Sequence, residues 1–574
     1  MNMYSEDLSD NAAPGAGQSS VDSVPARDHE THEVLNQAGD LVNYNAFSSD
    51  TALTEAIDVF AAQWASPKLR ACGELVGSER VQHLARTANR NEPELRTHDR
   101  FGHRIDQVEF HPAYHELMDM VFSSETHSLA WTEKQAGGHV ARAALSYLWN
   151  QGENGICCPM GMTFASVGAL RHDPALAAEW EPLIMRAGYD SRPLPARDKR
   201  AITVGMAMTE KQGGSDLRKT QTTARPASNR TGSGADYLLT GHKWFFSVPM
   251  SDVFLTLAQT ENGVSCFLAP GWLPDGRRNN LRIQRLKEKC GNRSNASSEV
   301  EFHDLHAVMV GEEGRGIRTI IEMAHFTRLD FAVGSSGLMR QALIQALHHT
   351  SARSSFGERI VDQPVMANVA ADLAVESEAQ MWLSMRLAQT LDHQDHSESE
   401  RLLSRIATPM AKYWSCKQAP MFVVEALECH GGNGFIEDHM MARLYREAPL
   451  NGIWEGTGNI ICLDVVRAVQ REPETVDAVL HEIRAGLGDD PQLATCADNL
   501  EARLRRLPDH QGEARHTVEM MAHALQGSLL RRYAPAAISD AFLSSRLTGH
   551  CGRAFGTLSE QVDTRAIIER ASVQ

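Results

Sequence analysis

The chain has 574 residues, of which 42% are hydrophobic and 22% charged, and its formal net charge is -17. This composition is typical of a globular protein with several packed units. The negative charge argues against wholesale electrostatic attraction to nucleic acid or anionic lipid, although it leaves room for a local basic patch. The ten cysteines form no Cys-x-x-Cys pair and no secretory signal is visible, so we expect reduced thiols in a cytoplasmic protein without a membrane segment.

The first half of the chain is predicted to be helical after an acidic tail. Residues 1–45 cannot bury enough apolar surface to order themselves, so we expect a disordered tail there. Over residues 46–199 apolar side chains recur at helical spacing, which predicts an N-terminal helical domain. Its closely spaced His111 and His115 have no third ligand at a recognisable spacing, so we predict no metal site.

Strand-forming residues dominate the next segment, residues 200–311, which predicts a central β-domain. Two apolar runs flank Glu261-Asn262-Gly263, a pattern typical of a β-hairpin turn. Residues 237–247 are expected to form a pair of strands that turns at Gly241.

Helical patterns return after the β-domain. Long runs with few breakers over residues 312–470 predict a C-terminal helical bundle. Residues 471–574 are predicted to be an additional helical domain, punctuated by Pro473, Pro508 and Pro535. The fold class expected from this order is mainly α with a central β-domain.

This order of domains, together with several short motifs, resembles the acyl-CoA dehydrogenase family. The resemblance implies a helical domain, a β-barrel domain and a helical bundle, here followed by a C-terminal helical extension. Motifs at 110–115, 241–249, 291–297 and 444–447 resemble the branch of the family that takes part in the bacterial response to DNA alkylation. The motifs shared with the wider family are 206–216 (MAMTEKQGGSD), 243–247 (KWFFS), 353–357 (RSSFG), 429–435 (CHGGNGF) and 453–458 (IWEGTG).

The resemblance implies an FAD site. Hydroxyl and backbone N–H groups suit the polar edge of a flavin, and the planar fork of a guanidinium suits phosphate. Arg353 and Gln363 would reach the pyrophosphate of FAD in a neighbouring subunit, so the resemblance also implies a homotetramer that shares FAD across a dimer interface. The residues assigned to FAD in this way are Met206, Met208, Thr209, Gly214, Ser215, Trp244, Phe246, Arg353, Phe356, Gln363, Gly431, Gly432, Gly434, Thr457 and Asn459.

Glu455 is the candidate catalytic residue. Its carboxylate stands immediately before Gly456-Thr457-Gly458, where the backbone can turn sharply. The resemblance implies that Glu455 removes the α-proton of an acyl-CoA thioester while the flavin takes a hydride from the β-carbon. Some relatives carry the base just before an arginine, but Thr327 precedes Arg328 here, so Glu455 has no rival; Arg328 is assigned to the substrate. We expect weak activity on short or branched acyl-CoA, such as isovaleryl-CoA.

The alkylation-response branch implies that the additional helical domain binds double-stranded DNA. Residues 471–574 contain twelve arginines, no lysine and fifteen acids, a net charge of -3, so binding would need locally clustered cations. A solvated helix face explains the same arginines equally well. Two other functions stay open: an ordinary catabolic acyl-CoA dehydrogenase with an added domain, and a DNA-binding protein whose flavin is structural. The candidate DNA residues are Arg503, Arg506, Arg531 and Arg532.

Overall fold

The computed structural model describes residues 31–488, 490–548 and 552–573. The order helical, β, helical that the sequence predicts is confirmed. No helix within the described ranges combines the length and the apolar character needed to cross a bilayer.

The N-terminal unit is mainly helical. Its helices pack around α6, which is buried along almost its whole length together with the largest apolar cluster of the molecule. The helices are α1 (Thr51–Val59), α2 (Ser66–Val76), α3 (Glu79–Arg90), α4 (Pro112–Ser123), α5 (Leu129–Thr132), α6 (Gly138–Gly152), α7 (Cys157–Leu170) and α8 (Pro174–Ile184).

An antiparallel hairpin interrupts these helices and was not predicted. It consists of β1 (Glu94–His98) and β2 (Arg104–Glu109), paired from Glu94 opposite Glu109 to His98 opposite Arg104. Exposed and half-buried residues alternate along β1, which is the strand period of two. The short run of alternation was hidden in the sequence between longer helical patterns.

Part of the predicted acidic tail packs against the rest of the molecule. The side-chain amide of Asn36 exchanges two hydrogen bonds of 2.8 Å with the backbone of Ser354. Tyr44 donates to Gln341 at 3.0 Å, and its half-buried side chain packs against the apolar core. The expectation of disorder up to residue 45 is therefore wrong for this segment, and residues 1–30 lie outside the described residues.

The central domain is one sheet with the strand order β3-β5-β4-β6-β7-β9-β8. Further pairings of β3 with β6 and of β5 with β9 close the sheet on itself like a barrel. The predicted hairpin is confirmed, because β6 and β7 pair directly from Thr260 opposite Gly263. The strands are β3 (Val204–Ala207), β4 (Thr223–Pro226), β5 (Asp236–Ser247), β6 (Val253–Thr260), β7 (Gly263–Pro270), β8 (Leu281–Leu286) and β9 (Ser297–Val310).

Residues 237–247 form one strand, β5, so the predicted turn at Gly241 is wrong. β5 pairs with β9 on both sides of this glycine, from Asp236 opposite Val308 to Ser247 opposite Ser297. A Cβ at Gly241 would lie 2.5 Å from Oγ1 of Thr222. The glycine is explained by this close approach of neighbouring backbone.

The second helical unit is a bundle of long helices linked by short segments. Its central helix, α9, continues for 37 residues, and most of the side chains along it are buried. The tight turn after α9 contains the short strands β10 (Ser354–Ser355) and β11 (Glu358–Arg359). The helices are α9 (Gly316–Ala352), α10 (Pro364–His393), α11 (Glu398–Glu428), α12 (Gly432–Phe435), α13 (Met441–Glu447) and α14 (Gly458–Arg471).

The last segment adds further helices to the same core. Residues of α17 such as Leu525 and Leu529 belong to the apolar cluster that also contains α10 and α11. The predicted proline breaks coincide with helix boundaries, since Pro473 and Pro535 are N-caps. The helices are α15 (Glu474–Arg484), α16 (Pro491–Arg506), α17 (Ala514–Tyr533), α18 (Ala536–Arg546) and α19 (Thr564–Ala571).

Candidate active site

Glu455 lies on a left-handed turn immediately before α14. Its φ is 51°, and Gly456 follows with a φ of 113°. A positive φ is unfavourable for a residue with a side chain, at a cost of order 1–3 kcal/mol, and persists only where the surroundings fix it. The turn therefore depends on the contacts made by the protein around it.

Two cations, the half-buried Arg328 and the buried Lys412, hold the carbonyl oxygens of this turn. Arg328 of α9 donates from Nε to the carbonyl oxygen of Glu455 at 3.3 Å, and Lys412 of α11 donates to that of Gly456 at 2.5 Å. Burial raises the pKa of the Glu455 carboxyl, and the charges of Arg328 and Lys412 oppose that rise. Burial thus favours the protonated form of the Glu455 carboxyl, whereas the two cations favour its ionised form.

Arg328, which the resemblance assigns to the substrate, contacts other residues of the protein. Besides its bond to Glu455, its Nη1 forms an ion pair of 2.6 Å with Asp464 of α14. Arg405 of α11 contacts the same carboxylate at 3.2 Å. This network ties α9, α11 and α14 together around the turn, and it places Arg328 as a support for Glu455.

The loop after β3 approaches Trp244, as the resemblance implies. The backbone N–H of Trp244 donates to the carbonyl oxygen of Thr209 at 2.8 Å, and Gly214 lies against the Thr209 side chain. The loop is anchored by Glu210, which is buried and accepts from Lys243 Nζ at 2.8 Å. Thr209, Gly214 and Trp244 are therefore neighbours, held by an ion pair that the sequence did not reveal.

The loop and the Glu455 turn meet around one apolar cluster. Met206, Met208 and Trp454 all pack against the buried residues that α7 shares with the β-domain. Burial raises the pKa of the Cys158 thiol of α7 to about 12, and the Glu455 carboxyl adds to this rise. Three units of the chain thus converge beside Glu455.

Trp244 and Phe246 differ in burial, although residues two apart share one face of a regular strand, because the pairing of β5 with β9 is irregular between Lys243 and Phe246. The Trp244 ring is half-buried, and Nζ of Lys287 lies 3.5 Å from its centroid. Phe246 is fully buried in the β-domain, with its ring centroid 4.6 Å from that of Phe254. Phe246 has no exposed surface, so a contact of its side chain with a ligand is not supported. Ser215, Thr457 and Asn459 are exposed, and Asn459 accepts from Arg515 of α17 at 2.9 Å.

A second group of predicted residues lies at the far end of α9. Arg353 follows the helix directly, and its Nε is buried without a hydrogen-bond partner within the described part of the chain. Gln363 donates to the Ser355 carbonyl oxygen at 3.0 Å and so fixes the turn that presents Phe356. The Phe356 side chain is 100% exposed. An unpaired guanidinium N–H beside an exposed aromatic ring suits a ligand with a phosphate and a ring.

The glycine turn after α11 borders this second group. The rings of His349 and His430, tilted by 38° with centroids 4.6 Å apart, join the end of α9 to the end of α11. A Cβ at Gly431 or Gly432 would meet nothing within 4 Å, whereas one at Gly434 would lie 2.3 Å from the Leu427 carbonyl oxygen. The first two glycines therefore leave an open backbone face that a bound group can approach, and the third serves packing.

The arginines proposed to bind DNA are all paired with acids. Arg503 and Arg506 both donate to Oε2 of Glu513, at 3.0 and 2.9 Å. Arg531 forms an ion pair of 2.5 Å with Asp540. Arg532 is paired with the buried Glu482, which also binds Arg386. The structure therefore does not collect these arginines into one surface of free positive charge.

Comparison with known proteins identifies the family. The chain is 41% identical over 542 residues to the putative acyl-CoA dehydrogenase AidB of Escherichia coli, covering 94% of this chain and 98% of that protein. The chain belongs to the acyl-CoA dehydrogenase family. Three family models match consecutive parts of this acyl-CoA dehydrogenase: the AidB N-terminal domain over 36–191, the acyl-CoA dehydrogenase middle domain over 205–305 and its C-terminal domain over 314–470.

Relatives from other organisms share most of the architecture. The acyl-CoA dehydrogenase family member 11 of Caenorhabditis elegans is 29% identical, over 82% of this chain and 79% of that protein. The solved structure of ACDH-11 from the same organism, in complex with C11-CoA, superposes with a TM-score of 0.80 at 26% identity and covers 95% of this chain and 93% of that one. Family membership makes the present acyl-CoA dehydrogenase an FAD-dependent oxidoreductase.

Several residues at the site were missed by sequence reasoning. Lys412 and Asp464 stabilise the Glu455 turn, and Glu210 anchors the loop after β3. The available signal for Lys412 was its place in a run of otherwise buried residues from Ile406 to Cys416, since lysine is rarely buried without a reason. No signal in the sequence pointed to the pairing of Asp464 with Arg328.

Proposed function

We propose that this protein is an FAD-dependent acyl-CoA dehydrogenase of the DNA alkylation response, with weak activity on short or branched acyl-CoA thioesters. The observation that carries the dehydrogenase part is the half-buried Glu455 on its left-handed turn, with a carboxyl whose pKa is raised by burial, beside the loop that contains Thr209. A carboxylate held in this way suits the removal of a weakly acidic proton. A flavin with only a structural role would not require such a positioned carboxylate.

The residues present fit a flavin and an acyl thioester. Bound FAD would supply the acceptor for the hydride that leaves the β-carbon. Glu455 takes the α-proton, and exclusion of water by the acyl group raises its proton affinity further. Thr209 and Ser215 offer hydroxyl groups to the polar edge of the cofactor. A thioester substrate is supported by the C11-CoA complex of the C. elegans relative.

We propose that FAD is shared between subunits of a homotetramer. The Glu455 site adjoins Arg328, whereas Arg353 and the open glycine turn lie at the other end of α9. From Arg328 to Ala352 this helix advances roughly 36 Å at about 1.5 Å per residue. One cofactor cannot contact both ends within a single subunit. The exposed Phe356 and Phe435 beside the second group fit a subunit interface.

Replacing Arg353 with Met is expected to weaken FAD binding about 10- to 100-fold, which corresponds to the loss of one charge-assisted hydrogen bond to phosphate. The measurement is FAD released during gel filtration, together with the oligomeric state. Arg359→Met is the matched control, because Arg359 lies in the same turn but is exposed and paired with Asp362. Equal FAD retention by the Arg353 and Arg359 variants would contradict the proposed phosphate role.

Double-stranded DNA binding by the additional helical domain is the second part of the proposal. It is supported by similarity to AidB over almost the whole chain and by the arginine-rich end of α16. Because Glu513 pairs with both Arg503 and Arg506, a phosphate group would have to displace this carboxylate. The alternative of an ordinary catabolic dehydrogenase requires no DNA binding at all. A cytoplasmic location stays a prediction from composition.

The DNA proposal predicts opposite effects of two changes. The double variant Arg503→Ala/Arg506→Ala should lose retention of duplex DNA at low salt and lower the salt dependence by about two phosphate contacts. Glu513→Gln should strengthen retention, because it frees both guanidinium groups. Arg484→Ala is the control, since Arg484 is paired with Asp498 and Glu501 on another face. If the wild-type protein does not bind DNA even at low salt, the DNA part is rejected.

A further inference from the structure

Lys412 is a buried lysine whose position needs an explanation. Its side chain is 1% exposed, and within the described part of the chain no carboxylate forms an ion pair with it. A buried ammonium group without a paired acid costs several kcal/mol in general. Lys412 donates a hydrogen bond of 2.5 Å to the carbonyl oxygen of Gly456, and its Nζ lies 6.0 Å from the centroid of the Phe331 ring. The fold therefore retains an unfavourable charge at the turn that follows Glu455.

The geometry of the turn shows what this bond achieves. Glu455 and Gly456 both have positive φ, and a residue with a side chain keeps this conformation only where its surroundings fix it. Arg328 holds the peptide oxygen before Gly456, and Lys412 holds the one after it. Two adjacent carbonyl groups are thus fixed by donors from different helices, α9 and α11. A side chain on such a turn keeps one direction.

We propose that Lys412 is a positioning residue for Glu455, which holds the left-handed turn in place and supplies a positive charge beside the carboxylate. The proposal rests on the proposed role of Glu455 as the base. Lys412 touches the backbone of the turn and acts on the reaction through Glu455. Its charge favours the ionised form of the carboxyl, which is the form that can accept the α-proton.

The charged and titratable groups around the pair come from several elements. α9 contributes Arg328. α7 contributes the Cys158 thiol, whose pKa is raised further by the charge of the Glu455 carboxyl. On α11, Cys416 and Lys417 act on Lys412. Burial lowers the pKa of Lys412 to about 8. A guanidinium group is not deprotonated in proteins, so Lys412 is the cation near Glu455 that loses its charge above about pH 8.

Three substitutions separate the hydrogen bond from the charge. Lys412→Met removes both, Lys412→Gln keeps a donor without charge, and Lys412→Arg keeps both. We expect flavin bleaching by isovaleryl-CoA to slow about 10- to 100-fold in the Met variant, to be partly restored in the Gln variant and to be largely restored in the Arg variant. The acidic limb of the rate profile should move to higher pH in the Met and Gln variants, because loss of the positive charge raises the pKa of Glu455.

A second readout does not depend on turnover. The carboxyl band that Glu455→Gln removes from the infrared spectrum reports protonation of Glu455 in protein without acyl-CoA. Its midpoint should rise in the Met and Gln variants and stay near the wild-type value in the Arg variant. Lys199→Met, which removes a buried lysine paired with Asp252 in the β-domain, controls for general destabilisation and should leave this midpoint unchanged.

The outcomes distinguish this proposal from the proposed function. If Glu455→Gln bleaches its flavin at the wild-type rate, the base assignment itself fails. If Glu455→Gln is inactive while Lys412→Met and Lys412→Gln keep the wild-type rate, pH profile and infrared midpoint, only the role of Lys412 is overturned. Should the Met variant fail to fold, the Gln and Arg variants still differ in charge, and equal profiles for the two would overturn the electrostatic role.

Discussion

Replacing Glu455 with Gln is expected to abolish bleaching of the flavin by isovaleryl-CoA while leaving FAD bound. Glutamine has nearly the same shape but cannot accept a proton, and loss of a positioned general base lowers rates about 10²–10⁴-fold. Arg328 and Lys412 contact backbone oxygens of the turn, so they do not require the Glu455 carboxylate. The measurement is stopped-flow absorbance of the flavin under anaerobic conditions.

Glu428→Gln on the exposed surface of α11 is the matched control and should bleach at the wild-type rate. Wild-type bleaching by the Glu455 variant would show that another group removes the proton. A wild-type protein that holds FAD but is not reduced by any acyl-CoA would instead favour the structural flavin. The two results are distinguishable because the flavin spectrum is recorded in both.

Replacing Arg142 with Met is expected to destabilise the protein by about 3–5 kcal/mol, because it leaves a buried carboxylate without its partner. Arg142 of α6 and Asp330 of α9 form a buried ion pair with 3% and 9% of their side chains exposed, and Nη2 donates to Oδ2 at 2.8 Å. Burial raises the pKa of Asp330, and the guanidinium opposes this rise. The pair joins the N-terminal unit to the bundle. The measurement is the denaturant midpoint of the holoprotein.

The double variant Arg142→Met/Asp330→Leu serves as the control for this expectation. It removes both charges, so it should recover much of the lost stability, since well-packed apolar residues often replace a buried pair without loss. Equal destabilisation in the single and double variants would show that packing of Arg142 over the Phe164 ring, 3.7 Å from its centroid, matters more than the charge.

The sequence predicts the order of units and the long helices well, because hydrophobic periodicity is a local signal. Helix α9 is one example, and the hairpin at Asn262-Gly263 is another, since turn chemistry sets it within a few residues. The turn wrongly placed at Gly241 shows the limit of local reasoning. Gly241 is explained by the close packing of Thr222 against it, and this contact exists only once the sheet has formed.

The candidate site could be predicted where a motif is contiguous and not where it depends on tertiary contacts. The run around Glu455 marks the turn, but its supports, Lys412 and Asp464, come from helices whose relative placement no short motif encodes. The same holds for Phe246, whose inward direction follows from the bulged pairing with β9. Side-chain direction on an irregular strand is a property of the assembled sheet.

Helix α19 forms ion pairs with helices that lie far earlier in the chain. Arg570 binds Glu378 of α10 and Glu55 of α1, a partner 515 residues earlier in the chain. Contacts of such sequence separation form late, because a long loop must close before they contribute. During synthesis the Glu55 side of α1 therefore lacks its contact with Arg570 until α19 has been made.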